Sequence, residues 1–220
     1  AQELYAMLPE EGRFHLSTAM CPSDRRVKLD EIRARLKSGG VCRVVSTSLV
    51  EAGVDVDFPV VFRALAGLDS IVQAGGRCNR EGTPGIVNGV VYIFESDRPA
   101  PRMLAQNIAA AKYALEKYPD PASPEAISAY FNKLFYFEKG MEALDAKEIL
   151  KLCESGAFPF SEISARFRVI DSSQYSVYIP LPGSEALFSE LERFGPSRFV
   201  MRKLGQYAVG VYPEHYAELA

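Results

Sequence analysis

Hydrophobic and polar residues form two kinds of segment over the first hundred positions. Short, mostly β-branched or apolar stretches have the pattern of buried strands, at 13–18, 41–46, 58–63 and 86–94. Helical stretches at 22–37 and 68–77 separate them, with Ser23 as the expected cap of the first and Gly39-Gly40 as its stop. Strands that alternate with helices predict crossover connections and a mostly parallel sheet. The pattern therefore predicts an α/β fold.

The pattern changes after residue 95. A proline-containing stretch at 96–101 predicts a boundary, and three helices are expected beyond it, at 102–118, 124–137 and 146–154. Ser123 precedes Pro124 as a cap precedes proline at the first helical position.

The last helix of this set and the chain that follows it carry their own signals. Asp145 and Glu148 have capping-box spacing for the helix at 146–154, which we expect to end near Gly156. In the helix at 124–137 a mostly aromatic run predicts core packing: Tyr130, Phe131, Leu134, Phe135 and Phe137. Of these, Phe131, Leu134 and Phe135 share one face.

The chain from 158 onward predicts a small α+β unit. Its expected elements are a hairpin of 166–170 with 175–179, a helix at 184–194 stopped by Gly195, and an extended stretch at 199–212. The predicted division is a domain at 1–98, a helical linker region at 99–157 and an accessory domain at 158–220.

Composition narrows the class of protein. The chain has 220 residues, with 25 Lys and Arg against 28 Asp and Glu and a net charge of −3. These ordinary globular values exclude wholesale disorder and argue against sequence-blind coating of nucleic acid, though not against a local basic groove. Because no apolar run approaches the roughly 20 residues of a membrane helix, we expect no membrane partner.

Cysteine usage predicts a reducing, cytoplasmic environment. The four cysteines are scattered without a C-x-x-C pair, and the chain has only two histidines, so neither a zinc cluster nor a disulfide framework is expected. The chain starts at Ala1, within a helix-like segment, and we expect it to be a fragment of a longer protein.

Hydroxyl side chains follow two of the predicted strands. Ser17 and Thr18 end the strand at 13–18, and Ser46 and Thr47 come at the end of the strand at 41–46. Ligands of open parallel sheets bind beyond the carboxyl ends of strands, where hydroxyls suit phosphate oxygens of a nucleic-acid backbone. Either pair alone is more commonly a helix cap.

A third segment carries two arginines. Gln73, Arg77 and Arg80 have i, i+4, i+7 spacing, which predicts one stripe of a helix, next to the glycines at 75–76. A guanidinium group matches the oxygens of a transferring γ-phosphoryl group and stays charged. A solvated basic face with ordinary ion pairs is the alternative.

In this order, the segments HLST, STSLVEAGVDVDFPVVFR and LDSIVQAGGRCNREG resemble motifs IV, V and VI of superfamily 2 helicases. The longer pattern, in which AGVDVDFPVV is followed by LDSIVQ and GRCNREG, resembles the CRISPR-associated helicase–nuclease of type I interference systems, an antiviral defence enzyme. The resemblance is specific over residues 14–95. Gly75 stands where such helicases usually have alanine, a small change that puts little in doubt.

The resemblance implies the second of two RecA-like lobes, a mostly parallel sheet followed by a helical linker and a small α+β C-terminal domain. It implies 3′–5′ translocation on single-stranded DNA. Arg77 and Arg80 would be arginine fingers, and Gln73 would link the nucleotide to its helix. Three residues would couple the nucleotide to DNA: Glu51, Gly53 and Asp55. Four would touch the DNA backbone: Ser17, Thr18, Ser46 and Thr47.

The sequence lacks the family's other parts. It has no G-x-x-x-x-G-K-S/T phosphate loop, and neither histidine is followed by aspartate as in a His-Asp nuclease domain. The acidic stretch 29–32 lies in a charged helical segment, where we expect a solvated helix face rather than a Mg²⁺-binding acidic box. ATP and Mg²⁺ of the full-length enzyme would therefore be bound mainly by the missing lobe, and none tightly by this chain. The implied partners are single-stranded DNA, the crRNA-guided Cascade complex, the first helicase lobe and the nuclease domain.

Basic and aromatic residues also mix near the C-terminus. Arg198, Arg202 and Lys203 lie among Phe199, Tyr207 and Tyr212, a mixture that suits single-strand contacts but more often marks an edge strand. The competing function is a non-catalytic RecA-like binding module that docks DNA, Cascade or another protein. Retention of both Arg77 and Arg80 favours the helicase, because a docking module does not need arginine fingers.

Overall fold

The computed structural model describes residues 1–50, 53–82, 89–137, 145, 147–154, 156, 158–167 and 174–219. The chain forms two compact units. Unit 1 joins Ala1–Val56 to Ser172–Ala220, and unit 2 is the continuous stretch Asp57–Asp171. The predicted domain limits at 98 and 157 stay a prediction.

The first part of unit 1 is a parallel strand pair connected by a long helix. Its elements are α1 (Gln2–Met7), β1 (Arg13–Leu16), α2 (Pro22–Lys37) and β2 (Arg43–Ser46). The two strands are parallel over their whole length, from Arg13 opposite Arg43 to Leu16 opposite Ser46. Phe14, Leu16 and Ile32 are buried between the strands and α2. The strand–helix–strand prediction is therefore confirmed here.

The second part of unit 1 pairs two strands that are distant in sequence. Its elements are β5 (Tyr175–Tyr178), α8 (Glu185–Phe194), α9 (Arg198–Leu204), β6 (Ala208–Val211) and α10 (Pro213–Leu219). β5 and β6 are antiparallel. Val200, Leu204 and Tyr207 form their core, which Phe188 and Leu191 of α8 cover.

Unit 2 repeats the parallel arrangement and adds helices. Its elements are β3 (Val60–Ala64), α3 (Leu68–Gly75), β4 (Val90–Phe94), α4 (Ala105–Lys117), α5 (Pro124–Phe137), α6 (Ile149–Cys153) and α7 (Phe160–Arg166). β3 and β4 are parallel, with Phe62 opposite Tyr92. Leu68 of α3, three alanines of α4 and Tyr130 of α5 form one core. The small alanine side chains let α3 and α5 approach α4 closely, because their lack of bulk shortens the distance between helix axes.

Local signals placed most of these elements. α2 has its predicted limits. The predicted Ser23 cap is wrong, because the cap residue is Cys21, which makes no side-chain hydrogen bond, and Pro22 is the first residue of the helix. The Ser123 prediction is confirmed, since its Oγ accepts the amide of Ala126 at 3.2 Å. α8 ends at Phe194, and the predicted stop at Gly195 is confirmed, since this residue caps the helix with a φ of +78° that favours glycine.

The capping-box prediction at 145–148 is wrong in its geometry. The helix begins at Ile149, and both Asp145 carboxylate oxygens accept amides, from Ile149 at 2.7 Å and Leu150 at 2.9 Å. Glu148 instead pairs with Lys151 at 2.9 Å, which lowers the pKa of Glu148 and raises that of Lys151.

Three further predictions are wrong. Arg166 ends helix α7, and the partner of β5 is β6 rather than a strand at 166–170, of which residues 168–170 lie outside the described part. Residues 198–204 are helical, so the extended stretch is confined to 208–211. On α5 the core prediction is wrong for Phe131 and Phe135, which are 40% and 45% exposed, but Tyr130 lies in the core and Leu134 packs against it, as predicted.

Candidate functional site

The four hydroxyl residues meet at one edge of the β1–β2 pair. Leu16 lies opposite Ser46, and the amide of Thr47 donates to the carbonyl of Leu16 at 3.1 Å. Both strands therefore end at the same level, and Ser17 and Thr18 leave β1 beside Ser46 and Thr47. The juxtaposition expected from parallel strands is found in this unit.

The four hydroxyl groups differ in their hydrogen bonds and in their exposure. Ser17 Oγ accepts the amide of Ala19 at 3.1 Å, and Ser46 Oγ donates to the carbonyl of Thr47 at 2.7 Å. Thr47 Oγ1 is buried without a hydrogen-bond partner, whereas Thr18 is exposed. Neither Ser17 nor Thr18 caps α2, whose cap residue Cys21 makes no side-chain bond, so the helix-cap alternative does not account for this pair.

The segment after β2 turns at a glycine. Gly53 has φ +72°, a left-handed conformation that favours glycine, and it is exposed. Val54 and Val56 are buried, and Asp55 between them is exposed, with its backbone carbonyl accepting Nε of Arg33 at 3.1 Å. Glu51 lies outside the described residues.

The predicted helical stripe of Gln73, Arg77 and Arg80 is wrong. α3 ends at Gly75, so only exposed Gln73 is helical. The amides of Arg77 and Cys78 bond three residues back, to Ala74 at 3.0 Å and Gly75 at 2.9 Å, which tightens the last turn. The arginines therefore lie on the turn that follows, Arg77 half-buried and Arg80 exposed.

That turn, which we call the arginine turn (residues 77–82), is paired with the chain just before β3. The amide of Phe58 donates to the carbonyl of Arg77, and the amide of Asn79 donates to the carbonyl of Phe58, both at 2.9 Å. These bonds form an isolated parallel bridge between Phe58 and Cys78. The backbone between the two arginines is thereby fixed to the sheet.

Asp57 is the residue that sequence reasoning missed. Its Oδ1 accepts the amide of Arg80 at 2.8 Å and its Oδ2 accepts the amide of Glu81 at 3.1 Å. The sequence offers no signal for this role, because the partners are backbone groups 23 and 24 residues away.

Close packing surrounds the same turn. Asn79 has φ +47°, unusual for a residue with a side chain. A Cβ on Gly89 would lie 2.7 Å from Cβ of Asn79 and 2.9 Å from Sγ of Cys78, so only glycine fits there. Burial, and then the charge of Asp57, raise the pKa of the Cys78 thiol.

The basic cluster near the C-terminus lies on α9. Ser197 caps this helix by accepting the amide of Val200 at 3.2 Å. Val200 and Leu204 are buried, while the three basic residues are exposed: Arg198, Arg202 and Lys203. Lys203 Nζ lies 4.0 Å from the ring centroid of Phe199, which is 59% exposed. The edge-strand interpretation is wrong, and an exposed basic and aromatic helix surface replaces it.

Metal-ligating side chains are dispersed in the part of the chain that the structure describes. It contains no group of three or more His, Cys, Asp or Glu side chains able to hold a metal ion. Within the same residues, every helix is too short or too polar to cross a membrane. Gly53 and Asp55 belong to unit 1, whereas Gln73, Arg77 and Arg80 belong to unit 2.

Parallel strand pairs joined by helices define an α/β protein, as predicted. Residues 1–83 match the family described as "CRISPR-associated nuclease/helicase Cas3, C-terminal". Over 80 residues the chain is 48% identical to the CRISPR-associated nuclease/helicase Cas3 of Haloferax volcanii, an alignment that covers 36% of this chain and 8% of that protein. The resemblance expected from the three motifs is thus confirmed, and the chain fits the C-terminal part of Cas3.

Solved structures extend the likeness in fold. The ATP complex of T. fusca Cas3 aligns with 99% of this chain at a TM-score of 0.55 and 16% identity, and its AMPPNP complex gives the same values. A CRISPR RNA-guided surveillance complex in a pre-nicking state aligns with 96% at a TM-score of 0.50 and 18% identity. The chain covers 30% and 31% of these structures' chains, respectively.

Proposed function

We propose that this chain is the second motor lobe and accessory domain of an ATP-dependent helicase that translocates 3′–5′ on single-stranded DNA in type I CRISPR interference. The arginine turn carries the proposal. It presents two guanidinium groups, from a half-buried and an exposed residue, on a backbone that is hydrogen-bonded to the sheet. It lies within the segment that matches the Cas3 C-terminal family.

Arg77 and Arg80 would stabilise the charge that develops on the γ-phosphoryl oxygens of ATP. Such stabilisation requires hydrogen-bond donors whose position is fixed before the reaction. The hydrogen bonds of the arginine turn to Phe58 and Asp57 would fix the backbone that carries both guanidinium groups. Exposed Gln73 at the end of α3 would contact the nucleotide, while Glu51, Gly53 and Asp55 would couple it to DNA. ATP and Mg²⁺ would be held mainly by a first lobe, because this sequence has no phosphate loop.

The hydroxyl edge would contact the DNA backbone. Ser17, Thr18 and Ser46 are neutral and could bind phosphate oxygens without reading bases, whereas Thr47, whose Oγ1 is buried, would have to rotate outward to do so. The exposed helix face of Arg198, Arg202 and Lys203 would add cationic contacts beside Phe199. Binding by this chain should therefore be weak, sensitive to salt and indifferent to sequence.

The remaining partners follow from the same proposal. The first helicase lobe and a nuclease domain would belong to the same protein, and the crRNA-guided Cascade complex would recruit it in the cytoplasm. In support, one structural neighbour is a CRISPR RNA-guided surveillance complex.

The decisive experiment substitutes each arginine with alanine in the complete enzyme. An arginine finger contributes about 10³–10⁵ in rate, whereas a solvated surface arginine contributes at most about 1 kcal/mol to stability. We expect Arg77→Ala and Arg80→Ala to abolish DNA-stimulated ATP hydrolysis at unchanged melting temperature. Lysine should rescue poorly, because it lacks the planar fork. Arg102→Ala, at an exposed position of the same unit, is the matched control and should retain activity.

A non-catalytic module that docks DNA, Cascade or another protein is the competing function. Near-normal hydrolysis by both alanine variants would favour it. The isolated 220-residue chain should hydrolyse no ATP. Robust DNA-stimulated turnover by this chain would contradict the proposal that a first lobe holds ATP and Mg²⁺.

A further inference from the structure

We infer that Asp57 is a positioning residue for the arginine turn, and that its carboxylate sets the backbone from which Arg80 projects. This inference rests on the proposed function, because it assigns Asp57 a role through the arginines. Asp57 itself would touch neither nucleotide nor DNA.

The geometry around Asp57 is that of a carboxylate clamp. Its two oxygens each accept one backbone amide, from Arg80 at 2.8 Å and from Glu81 at 3.1 Å. Hydrogen bonds to a charged acceptor are shorter and about twice as strong as those between neutral groups. Two of them on consecutive amides hold the peptide planes on both sides of the Arg80 Cα, and with them the direction in which the Arg80 side chain leaves the backbone.

The clamp adds to the bonds that attach the arginine turn to the chain before β3. The bridge to Phe58 holds Arg77 and Asn79, but its last bond is made by the amide of Asn79. Beyond that point, the carbonyl of Asn79 accepts the amide of Gly82 at 3.1 Å, which closes the turn on itself without attaching it to the sheet. Asp57 thus supplies bonds that join the Arg80 end of the turn to the chain leading into β3.

Asn79 lies between the two attachments of the arginine turn. Its φ of +47° is a conformation that asparagine adopts more readily than most residues with a side chain. The Phe58 bridge lies on one side of Asn79 and the Asp57 clamp on the other. With the clamp removed, the turn can relax toward ordinary backbone angles, which would redirect Arg80 while Arg77 stays bridged.

The test uses Asp57→Asn, which keeps the shape but replaces one acceptor oxygen with an amide donor facing a backbone N–H. Asp145→Asn is the matched control, because the Asp145 carboxylate also accepts two consecutive amides, at 2.7 and 2.9 Å, in α6. In the 220-residue chain, hydrogen exchange of a peptide spanning 77–82 should become at least about tenfold faster in Asp57→Asn and stay unchanged in Asp145→Asn.

In the complete enzyme, Asp57→Asn should lower kcat of DNA-stimulated ATP hydrolysis by about 10- to 100-fold, since a misplaced group costs of that order. KM for ATP should change by less than about threefold, because binding would rest mainly on the other lobe. In the double variant with Arg80→Ala, Asp57→Asn should lower kcat hardly any further, since the effects of residues that act as a unit are not additive.

The outcomes separate the two proposals. If Arg77→Ala and Arg80→Ala retain hydrolysis, the helicase assignment fails and the positioning role fails with it. If those variants lose hydrolysis while Asp57→Asn keeps normal kcat, or adds its full effect on top of Arg80→Ala, only the positioning role is overturned. Unchanged exchange of the 77–82 peptide in Asp57→Asn would overturn the clamp directly.

Discussion

Tyr130 donates its phenolic hydrogen to Oδ1 of Asp69 at 3.0 Å, a contact that connects α5 to the first turn of α3 across 61 residues of sequence. The same oxygen of Tyr130 accepts from Nδ2 of Asn107 on α4 at 3.1 Å. A Cβ on Gly67 would lie 2.7 Å from this oxygen, so glycine is needed where the chain enters α3. The helix that leads into the arginine turn is therefore held by α4 and α5.

Tyr130→Phe should lower the free energy of unfolding by about 1–2 kcal/mol. The ring would still fill its buried position, but Asp69 and Asn107 would each be deprived of a hydrogen-bond partner. Urea unfolding of the 220-residue chain measures the difference. Tyr175→Phe, with a side chain 53% exposed, is the control and should stay within about 0.5 kcal/mol. Equal losses of stability in both variants would contradict a specific role of the Asp69 contact.

The same hydroxyl predicts a pH dependence. Burial, with Asp69 adding to it and Asn107 opposing it, raises the pKa of Tyr130 above its ordinary 10.0. Its contribution to stability is therefore complete below pH 10 and is lost as the pH rises through the higher folded value. The stability difference between the natural chain and Tyr130→Phe should shrink as the pH rises above 10. A difference that stays constant over this range would refute the assignment.

Gly12→Ala should destabilise unit 1 by about 3 kcal/mol. Gly12 has φ +65°, and a Cβ there would overlap the carbonyl oxygen of Val41, while its own carbonyl accepts the amide of Arg43 at 2.7 Å beside the β1–β2 pair. Thermal unfolding of the variant measures the loss of stability.

Gly39→Ala is the matched control for that substitution. Gly39 has nearly the same φ, +68°, but nothing lies within 4 Å of a Cβ built on it. The Gly39→Ala variant should therefore lose only the roughly 1 kcal/mol of stability that a left-handed backbone costs a residue with a side chain. Similar destabilisation at both positions would show that the approach to Val41 is unimportant.

The α9 surface should determine the salt dependence of DNA binding. Replacing Arg198 or Arg202 with alanine should reduce the slope of log affinity against log salt by about one for each DNA phosphate that the variant no longer neutralises. Fluorescence titration of a single-stranded oligonucleotide at several salt concentrations gives this slope. Lys151→Ala removes a lysine that is already paired with Glu148 at 2.9 Å, and it should leave the slope unchanged.

Phe199→Ala should weaken the same binding by about 1–3 kcal/mol if a base stacks on this ring. Phe194 offers a close comparison, because it is 74% exposed and has Arg193 5.1 Å from its ring centroid, yet it lies on α8. Phe194→Ala should have no effect on the titration. Equal effects of the two substitutions would exclude α9 as a distinct stacking surface.

The three motif segments predicted the resemblance to Cas3 correctly because their residue order is itself the evidence. They could not predict the backbone that carries the arginines. Spacing of i, i+4, i+7 favours a helix, but α3 stops at Gly75 because the chain beyond it pairs with Phe58 and Asp57. Bonds between positions about 20 residues apart leave no local pattern, which is why Asp57 was missed.

The sequence by itself determined the elements whose limits depend on neighbouring residues. The Ser123 cap, the Gly195 stop and the existence of strands at 13–16 and 43–46 follow from side chains and dihedral preferences within a few positions. Only the tertiary structure decided that β5 pairs with β6, about 30 residues further on, and that Phe131, unlike its neighbour Tyr130, is left 40% exposed. Local propensity limits which element a segment can form, whereas burial and strand pairing depend on which distant surface is available to cover it.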